Sequence, residues 1–315
     1  MTSQIFIGGS GRSGTTLLVD IIGRHPQIYS LPLEMRFITD PDGLINLVDA
    51  LTYNYSPFLS REALYRFHRL MTSYLATPET RPYLNYNFPR IFGSQFYFQH
   101  CEQFINRLSQ YSFQGKSVFE VNPQDPELHR NIFGPPYFEN REELLQIAAS
   151  FVHELFIKLA SSHQKSIWCE KTPFNILHAQ FLWELFPQAQ VLHIIRDPRA
   201  VVNSLMQPAS WWAPNDVRHA ALFLKHFLQR WFHVKAQLEK IQKLPIRIKY
   251  EDLLQSPQEI LDNLAHTLQL DAPFQNIPQV KTERADAWKT KLTPQQIHII
   301  NQVLQEEILA LQYPL

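Results

Sequence analysis

Four of the nine glycines, Gly8, Gly9, Gly11 and Gly14, fall within seven residues, interleaved with and followed by Ser10, Arg12, Ser13, Thr15 and Thr16. The rest of the chain is sparing with glycine, so backbone freedom is concentrated at one turn. Residues 5–7 ahead of the turn are apolar, and residues 15–24 behind it carry helical apolar spacing up to Pro26. Strand, glycine-rich turn and helix in that order aim several backbone N–H groups and the positive end of a helix dipole at one point. That is the geometry of a phosphate cradle. Gly9 and Gly14 have the spacing of G-x-x-x-x-G-K-[ST], but Thr15 occupies the lysine position and the loop's cation is Arg12. A loop that handles a γ-phosphate needs that lysine together with a metal held by a hydroxyl and an acid. The departure points to a nucleotide whose terminal group is not a γ-phosphate.

The elements that must position this loop follow from periodicity. Residues 4–8 read as a strand, 27–31 as a short second strand and 35–50 as a helix. From about residue 44 to 138 the character changes: this stretch holds 20 of the 40 aromatics, eleven Phe and nine Tyr, with helical patches near 60–76 and 94–112. Linkers are polar, so it reads as a helical insertion that covers the core. Regular alternation then returns, with helices over 142–163, 174–186, 197–206, 216–242, 257–269 and 294–311. The strands among them are 166–169, 191–195 and 246–250. Strands alternating with helices predict right-handed crossovers and a parallel sheet covered on both faces. Asp197 and Pro198 read as the N-cap and first-turn proline of their helix. Arg199 beside them is open between a phosphate ligand and a solvated charge.

Three motifs in order resemble the sulfotransferases that use 3′-phosphoadenosine 5′-phosphosulfate (PAPS). GRSGTTLL after the first strand resembles their 5′-phosphosulfate loop, which implies Gly11, Arg12, Ser13, Gly14, Thr15 and Thr16 as donor-binding residues. VLHIIRDPRAVVNSL resembles their 3′-phosphate motif, which implies Arg196 and Ser204; a guanidinium gives a charge-assisted fork and a hydroxyl adds a hydrogen bond. IKYEDL resembles the strand-ending segment whose tyrosine, here Tyr250, lies near the nucleotide. Sulfuryl transfer needs cations on the sulfonate and leaving oxygens, an in-line acceptor and a base for its proton. Trp168-Cys169-Glu170-Lys171-Thr172-Pro173-Phe174 resembles the lysine-bearing stretch of tyrosylprotein sulfotransferases and bacterial relatives, so Lys171 joins Arg12 as a cation. Pro173 stands where cytosolic small-molecule enzymes carry a histidine base, and Glu34 stands where the tyrosylprotein branch has a catalytic glutamate. The other reading of Glu34 is a carboxylate that starts the next helix. Arg36 would orient it or touch the acceptor. Pro208 replaces a further arginine of that branch, and Ala287 precedes Trp288 where a lysine is usual, leaving Arg284 or Lys289 as substitutes.

Composition narrows the partners. Hydrophobic residues make up 45% and charged residues 18%, an ordinary globular balance, and 29 basic against 29 acidic residues give no long-range pull toward nucleic acid or anionic membrane. Charges in the aromatic insertion nearly balance too, so the cations that track a nucleic-acid backbone are lacking. Cys101 and Cys169 are too few for a disulfide scaffold or zinc site. His219, His226 and His233 repeat every seven residues, about 10.5 Å along a helix, too far for one metal and consistent with a half-buried stripe. No apolar run of spanning length and no signal segment is visible, which predicts a cytoplasmic protein with no membrane span.

The expectation is one sulfotransferase domain over 1–315: a three-layer α/β sandwich with a central parallel sheet and a P-loop-like cradle. A helical insertion over 44–138 covers the acceptor site. The donor is PAPS, leaving adenosine 3′,5′-bisphosphate (PAP), with no metal. The acceptor is a small-molecule hydroxyl or amine, with protein tyrosine as a second class. The alternatives are a P-loop kinase and a non-catalytic nucleotide-binding protein. Oligomeric state is not encoded in any of these features.

Overall fold

The structure, a computed structural model, describes residues 4–77, 86–116, 129–275, 277–278 and 282–315. The chain forms two compact units, Met1–Glu34 with Ala160–Leu315, and Met35–Leu159.

The first unit is built on five parallel strands in the order β2-β5-β1-β6-β7. These are β1 (Gln4–Gly8), β2 (Ile28–Ser30), β5 (Ile167–Lys171), β6 (Gln190–Ile195) and β7 (Ile246–Lys249); β3 and β4 belong to the other unit. Both faces are covered, which is why the strands read as near-continuous apolar runs. On one face Ile5, Ile7, Cys169, Leu192 and Ile194 pack with α1 (Thr15–Ile22), α10 (Tyr250–Gln255) and α11 (Pro257–Thr267) through Leu18, Leu253 and Leu261. Alternate residues point the other way: the Phe6 ring meets Trp168 at 5.3 Å and Phe186 at 6.0 Å. His193 lies edge-on to Trp231 of α9 (Val217–Lys240) at 4.4 Å. Burial, with the nearby Arg247 charge, holds the His193 imidazole down at about 3, so it is a neutral packing group. Sheet and two helical faces make the three layers expected. α7 (Ala179–Leu185), α8 (Pro198–Leu205), α12 (Glu283–Lys291) and α13 (Pro294–Ala310) complete the unit.

The second unit holds α2 (Leu44–Leu51), α3 (Pro57–Arg69) running into a wide turn over Leu70–Tyr74, α4 (Phe88–Phe92), α5 (Ser94–Arg107) and most of α6 (Arg141–Ser162). Its aromatic wealth is a core: Phe37, Phe67, Phe88, Phe92, Phe104 and Phe151 are buried, and Phe104 stacks on Phe151 at 4.2 Å. α6 has the length and apolarity to cross a membrane, yet 56% of its most apolar stretch is buried inside the protein, where Ala148, Phe151 and Leu155 pack.

Four local expectations are corrected. Residues 35–43 are not helical: Arg36 and Asp42 take left-handed backbone, φ 54° and 62°, and the helix begins only at Leu44. The helix from residue 94 stops at Arg107, and β3 (Tyr111–Gly115) pairs antiparallel with β4 (Arg130–Gly134), so the insertion is not all helical. Residues 173–178 form a tight 3₁₀ turn before α7. His219, His226 and His233 lie on the solvent face of α9 rather than half-buried; His219 faces Asp216 and His233 faces Gln237.

Candidate functional site

The turn between β1 and α1 forms as its sequence predicts. The Gly9 N–H donates to the Pro173 carbonyl at 2.8 Å, tying the loop's start to the segment after β5. Gly14 caps α1 with φ 106°, and a Cβ there would lie 2.4 Å from the Tyr250 ring. Only glycine fits, both for backbone and for space. Arg12 also has left-handed backbone, φ 70°, a strained state for a residue with a side chain and one that clusters at functional turns. Ser13 is fully buried and its hydroxyl donates to the Ser10 carbonyl at 2.7 Å, so that side chain holds the loop together.

Beside this turn opens a cavity of about 510 Å³. Arg12, Gly14, Thr15, Thr16, Arg196, Ser204 and Tyr250 line it, which brings together seven of the nine donor-binding residues expected from sequence. The other two lie elsewhere in the loop: Gly11 sits under the Trp212 ring, 2.4 Å from where a Cβ would be, and Ser13 is turned inward. Arg12 Nε donates to Ser204 Oγ at 3.0 Å, across 192 residues of sequence. Arg196 donates to the Arg12 carbonyl at 3.3 Å and the Arg284 carbonyl at 2.7 Å, and its guanidinium lies 4.2 Å above the Tyr250 ring. Its Nε is buried without a hydrogen-bond partner. Burial pulls the guanidinium pKa down, with the Arg12 charge adding to that and Tyr250, Glu251 and Asp197 opposing it. An arginine remains charged under that shift. Arg12 and Arg196 thus put two guanidinium groups on one cavity wall, a setting that suits an anionic ligand.

Asp197 caps α8 as expected: its carboxylate accepts from the Arg199 N–H at 2.8 Å, with Pro198 first in the helix. Arg199 is buried rather than solvated and does not line this cavity. It forks onto Asp197 at 3.0 and 2.8 Å, donates to the Pro314 carbonyl and stacks 4.4 Å from Trp288. Glu251 accepts from the Asp197 N–H at 3.0 Å and from the Tyr313 hydroxyl at 2.6 Å. Burial and then the Glu251 charge push the Tyr313 phenol well up, so it stays a donor. Of the two substitutes for a late lysine, Arg284 lines the cavity, whereas Lys289 is paired with Asp286 at 2.7 Å. Sequence reading missed Lys291, which lines the cavity too. Positions 284, 287 and 291 share one face of α12, a spacing that would have selected Lys291 had the helix been foreseen.

A second group forms at the ends of β2 and β5. The Leu31 N–H donates to the Cys169 carbonyl at 2.9 Å, continuing the β2–β5 pairing toward Glu34. Lys171 closes β5, and its Nζ lies 2.7 Å from Glu34 Oε1, with both side chains largely covered, 14% and 27% exposed. The predicted base and second cation are thus in contact. Lys171 is registered with Ile7, so the pair belongs to the strand ends from which the cradle springs. Glu34 does not start a helix, because the next one begins ten residues later at Leu44. Arg36, in the other unit, pairs with Asp40 at 2.7 Å.

Known proteins match the chain in fold and in sequence. The sulfotransferase domain from the curacin biosynthetic pathway superposes with a TM-score of 0.52, covering 100% of this chain and 99% of that one at 17% identity, a likeness of fold. A Caenorhabditis briggsae protein named "Putative protein-tyrosine sulfotransferase" is 26% identical over 108 residues, 32% of this chain. That alignment spans only 36% of the relative's length. The profile described as "Sulfotransferase family" matches residues 4–275, from the first strand through all five strands of the sheet and the cradle. With that span of matched sequence on this fold, the chain belongs to the sulfotransferase family.

Proposed function

We propose that this chain transfers a sulfuryl group from PAPS to a hydroxyl or amine, with a small molecule as the preferred acceptor. The observation that carries this reading is the shared cavity wall: the cradle of α1 at one part, and Arg196, Ser204 and Tyr250 at another. A donor with a 5′-phosphosulfate and a 3′-phosphate asks for two anion sites on one sheet, and these residues fit it. The loop N–H groups, Arg12, Thr15 and Thr16 would hold the 5′ end. Arg196 and Ser204 would hold the 3′-phosphate, Ser204 keeping its own hydrogen to donate while accepting from Arg12. PAPS when bound supplies the sulfuryl group. Glu34 receives the acceptor's proton on its carboxylate. Lys171 gives one of its three ammonium donors to Glu34 and has others for the oxygen that gains charge.

The kinase alternative lacks support from the loop, where Thr15 replaces the lysine, and the family is sulfotransferase. Protein tyrosine remains the second acceptor class, on the strength of the Caenorhabditis briggsae relative's name.

Arg196→Ala tests the donor assignment. PAP binding should weaken by about 1.5–3 kcal/mol, the worth of a hydrogen bond to a charged group. Adenosine 5′-phosphosulfate, which lacks the 3′-phosphate, should lose much less. Calorimetry of both ligands with both proteins measures the difference. Equal losses would mean that Arg196 acts through its bonds to Arg12 and Arg284 and not on the phosphate.

A further inference from the structure

Glu170, next to Lys171, is 1% exposed on the sheet face that carries Phe6 and Trp168. A carboxylate buried in a sheet is costly unless both oxygens find donors. Here they do: Thr172 Oγ1 donates to Oε1 at 2.7 Å, and Asn175 Nδ2 donates to Oε2. Thr172 and Asn175 are themselves 1% exposed. The carboxylate therefore closes a buried clamp over residues 172–175, the four that follow β5. That same segment presents Lys171 to Glu34, receives the Gly9 N–H on the Pro173 carbonyl, and lies so close to β1 that a Cβ on Gly8 would fall 2.6 Å from the Ile176 nitrogen. None of the steps assigned above uses Glu170.

We propose that Glu170 is a positioning residue: its clamp on Thr172 and Asn175 fixes the β5 end so that the Lys171 ammonium stands where sulfuryl transfer needs it. The inference rests on the functional reading above. Register with Ile7 sets the face from which Lys171 leaves the strand, but the backbone beyond it has no ladder partner and can still turn and shift the ammonium. The buried clamp removes that freedom from the C-terminal side, while the Gly9–Pro173 bond fixes the same turn against the cradle. Its chemistry demands an acceptor on both sides. Glutamine meets this in part: its amide oxygen accepts from Asn175, and its NH₂ donates to a Thr172 hydroxyl that has rotated to accept. Leucine removes both acceptors, leaving Asn175 Nδ2 only its long 3.5 Å bond to the Ile7 carbonyl.

The test uses the full chain with PAPS and p-nitrophenol as the probe acceptor, and follows the release of PAP. Glu170→Leu should lower kcat by about 10–100-fold, the scale of a small misplacement of a catalytic group. PAP affinity should change by less than about 3-fold, since a clamp that acts through Lys171 leaves the cradle's own ligands in place. Glu170→Gln should restore most of kcat. The discriminating measurement is Glu170→Leu made in the Lys171→Ala background. A positioning role predicts almost no further loss of kcat there, whereas a general weakening of the fold predicts the same loss in both backgrounds. Melting curves keep the assays well below each variant's transition, and if Glu170→Leu does not fold, Thr172→Val carries the same cycle through one clamp bond. Equal loss in both backgrounds, or a wild-type kcat in Glu170→Leu, overturns the proposal. A wild-type chain that neither binds PAP nor releases it from PAPS overturns the functional reading instead.

Discussion

Glu34→Gln should transfer sulfuryl groups about 10²–10⁴-fold more slowly than the wild type at saturating PAPS, the usual contribution of a positioned general base. PAP affinity should stay nearly unchanged. The amide keeps the side chain's size, and its oxygen can still accept from Lys171 Nζ, now 2.7 Å from the carboxylate. What it loses is the ability to take a proton. The acceptor decides how large the defect looks. An aliphatic hydroxyl or ordinary phenol must be deprotonated in the reaction, whereas p-nitrophenol, ionised in mildly alkaline buffer, needs little help. The defect should therefore be large with the first kind and shrink with the second as pH rises. Equal turnover of variant and wild type with an unactivated hydroxyl would remove Glu34 as the base.

Lys171→Ala should also act on turnover, lowering kcat by about 10²–10³-fold, the scale of removing one donor from a developing negative charge. The mechanism of loss differs. Without the ammonium the leaving oxygen gains charge unassisted, so the defect should persist with p-nitrophenol, where that of Glu34→Gln fades. Comparing the two variants across the two acceptors separates the base from the cation, although the residues touch. Should Lys171→Ala instead track Glu34→Gln with both acceptors, the lysine's role would be to hold the glutamate.

Much of this site was legible in the sequence because local chemistry specified it. Four glycines after an apolar run admit few structures besides a tight cradle, and Asp197-Pro198 carries its own cap and first turn. The pairings of Arg12 with Ser204 and of Lys171 with Glu34, separated by 192 and 137 residues, are products of parallel register, which motif order implies and periodicity does not. What escaped was set by tertiary contacts. α12 reads Glu-Arg-Ala-Asp-Ala-Trp-Lys-Thr-Lys, with no apolar stripe to announce a helix. It is held by Trp288 against Arg199 and by the Arg284 carbonyl on Arg196, so Lys291 was invisible as a cavity residue. The burial of Arg199 is hidden for a related reason: its fork onto Asp197 is local, but the carbonyl and indole that bury it come from residues 314 and 288. In the aromatic unit, the break at 35–43 depends on left-handed turns at Arg36 and Asp42 that helical spacing cannot register. The antiparallel β3–β4 pair brings together residues whose aromatic content suits a helix core and a strand equally.

Calorimetric titration of the wild-type chain with PAP and with ATP, each in EDTA, tests most directly whether the cavity is a metal-independent site for a nucleotide bearing a 3′-phosphate. Arg12 in the loop, Thr15 in place of a lysine, and Arg196 with Ser204 on the same cavity wall predict that PAP binds undiminished by chelation and that ATP binds at least about tenfold more weakly, the factor of one lost charge-assisted contact. PAP binding that disappears in EDTA, or a preference for ATP, would contradict the account.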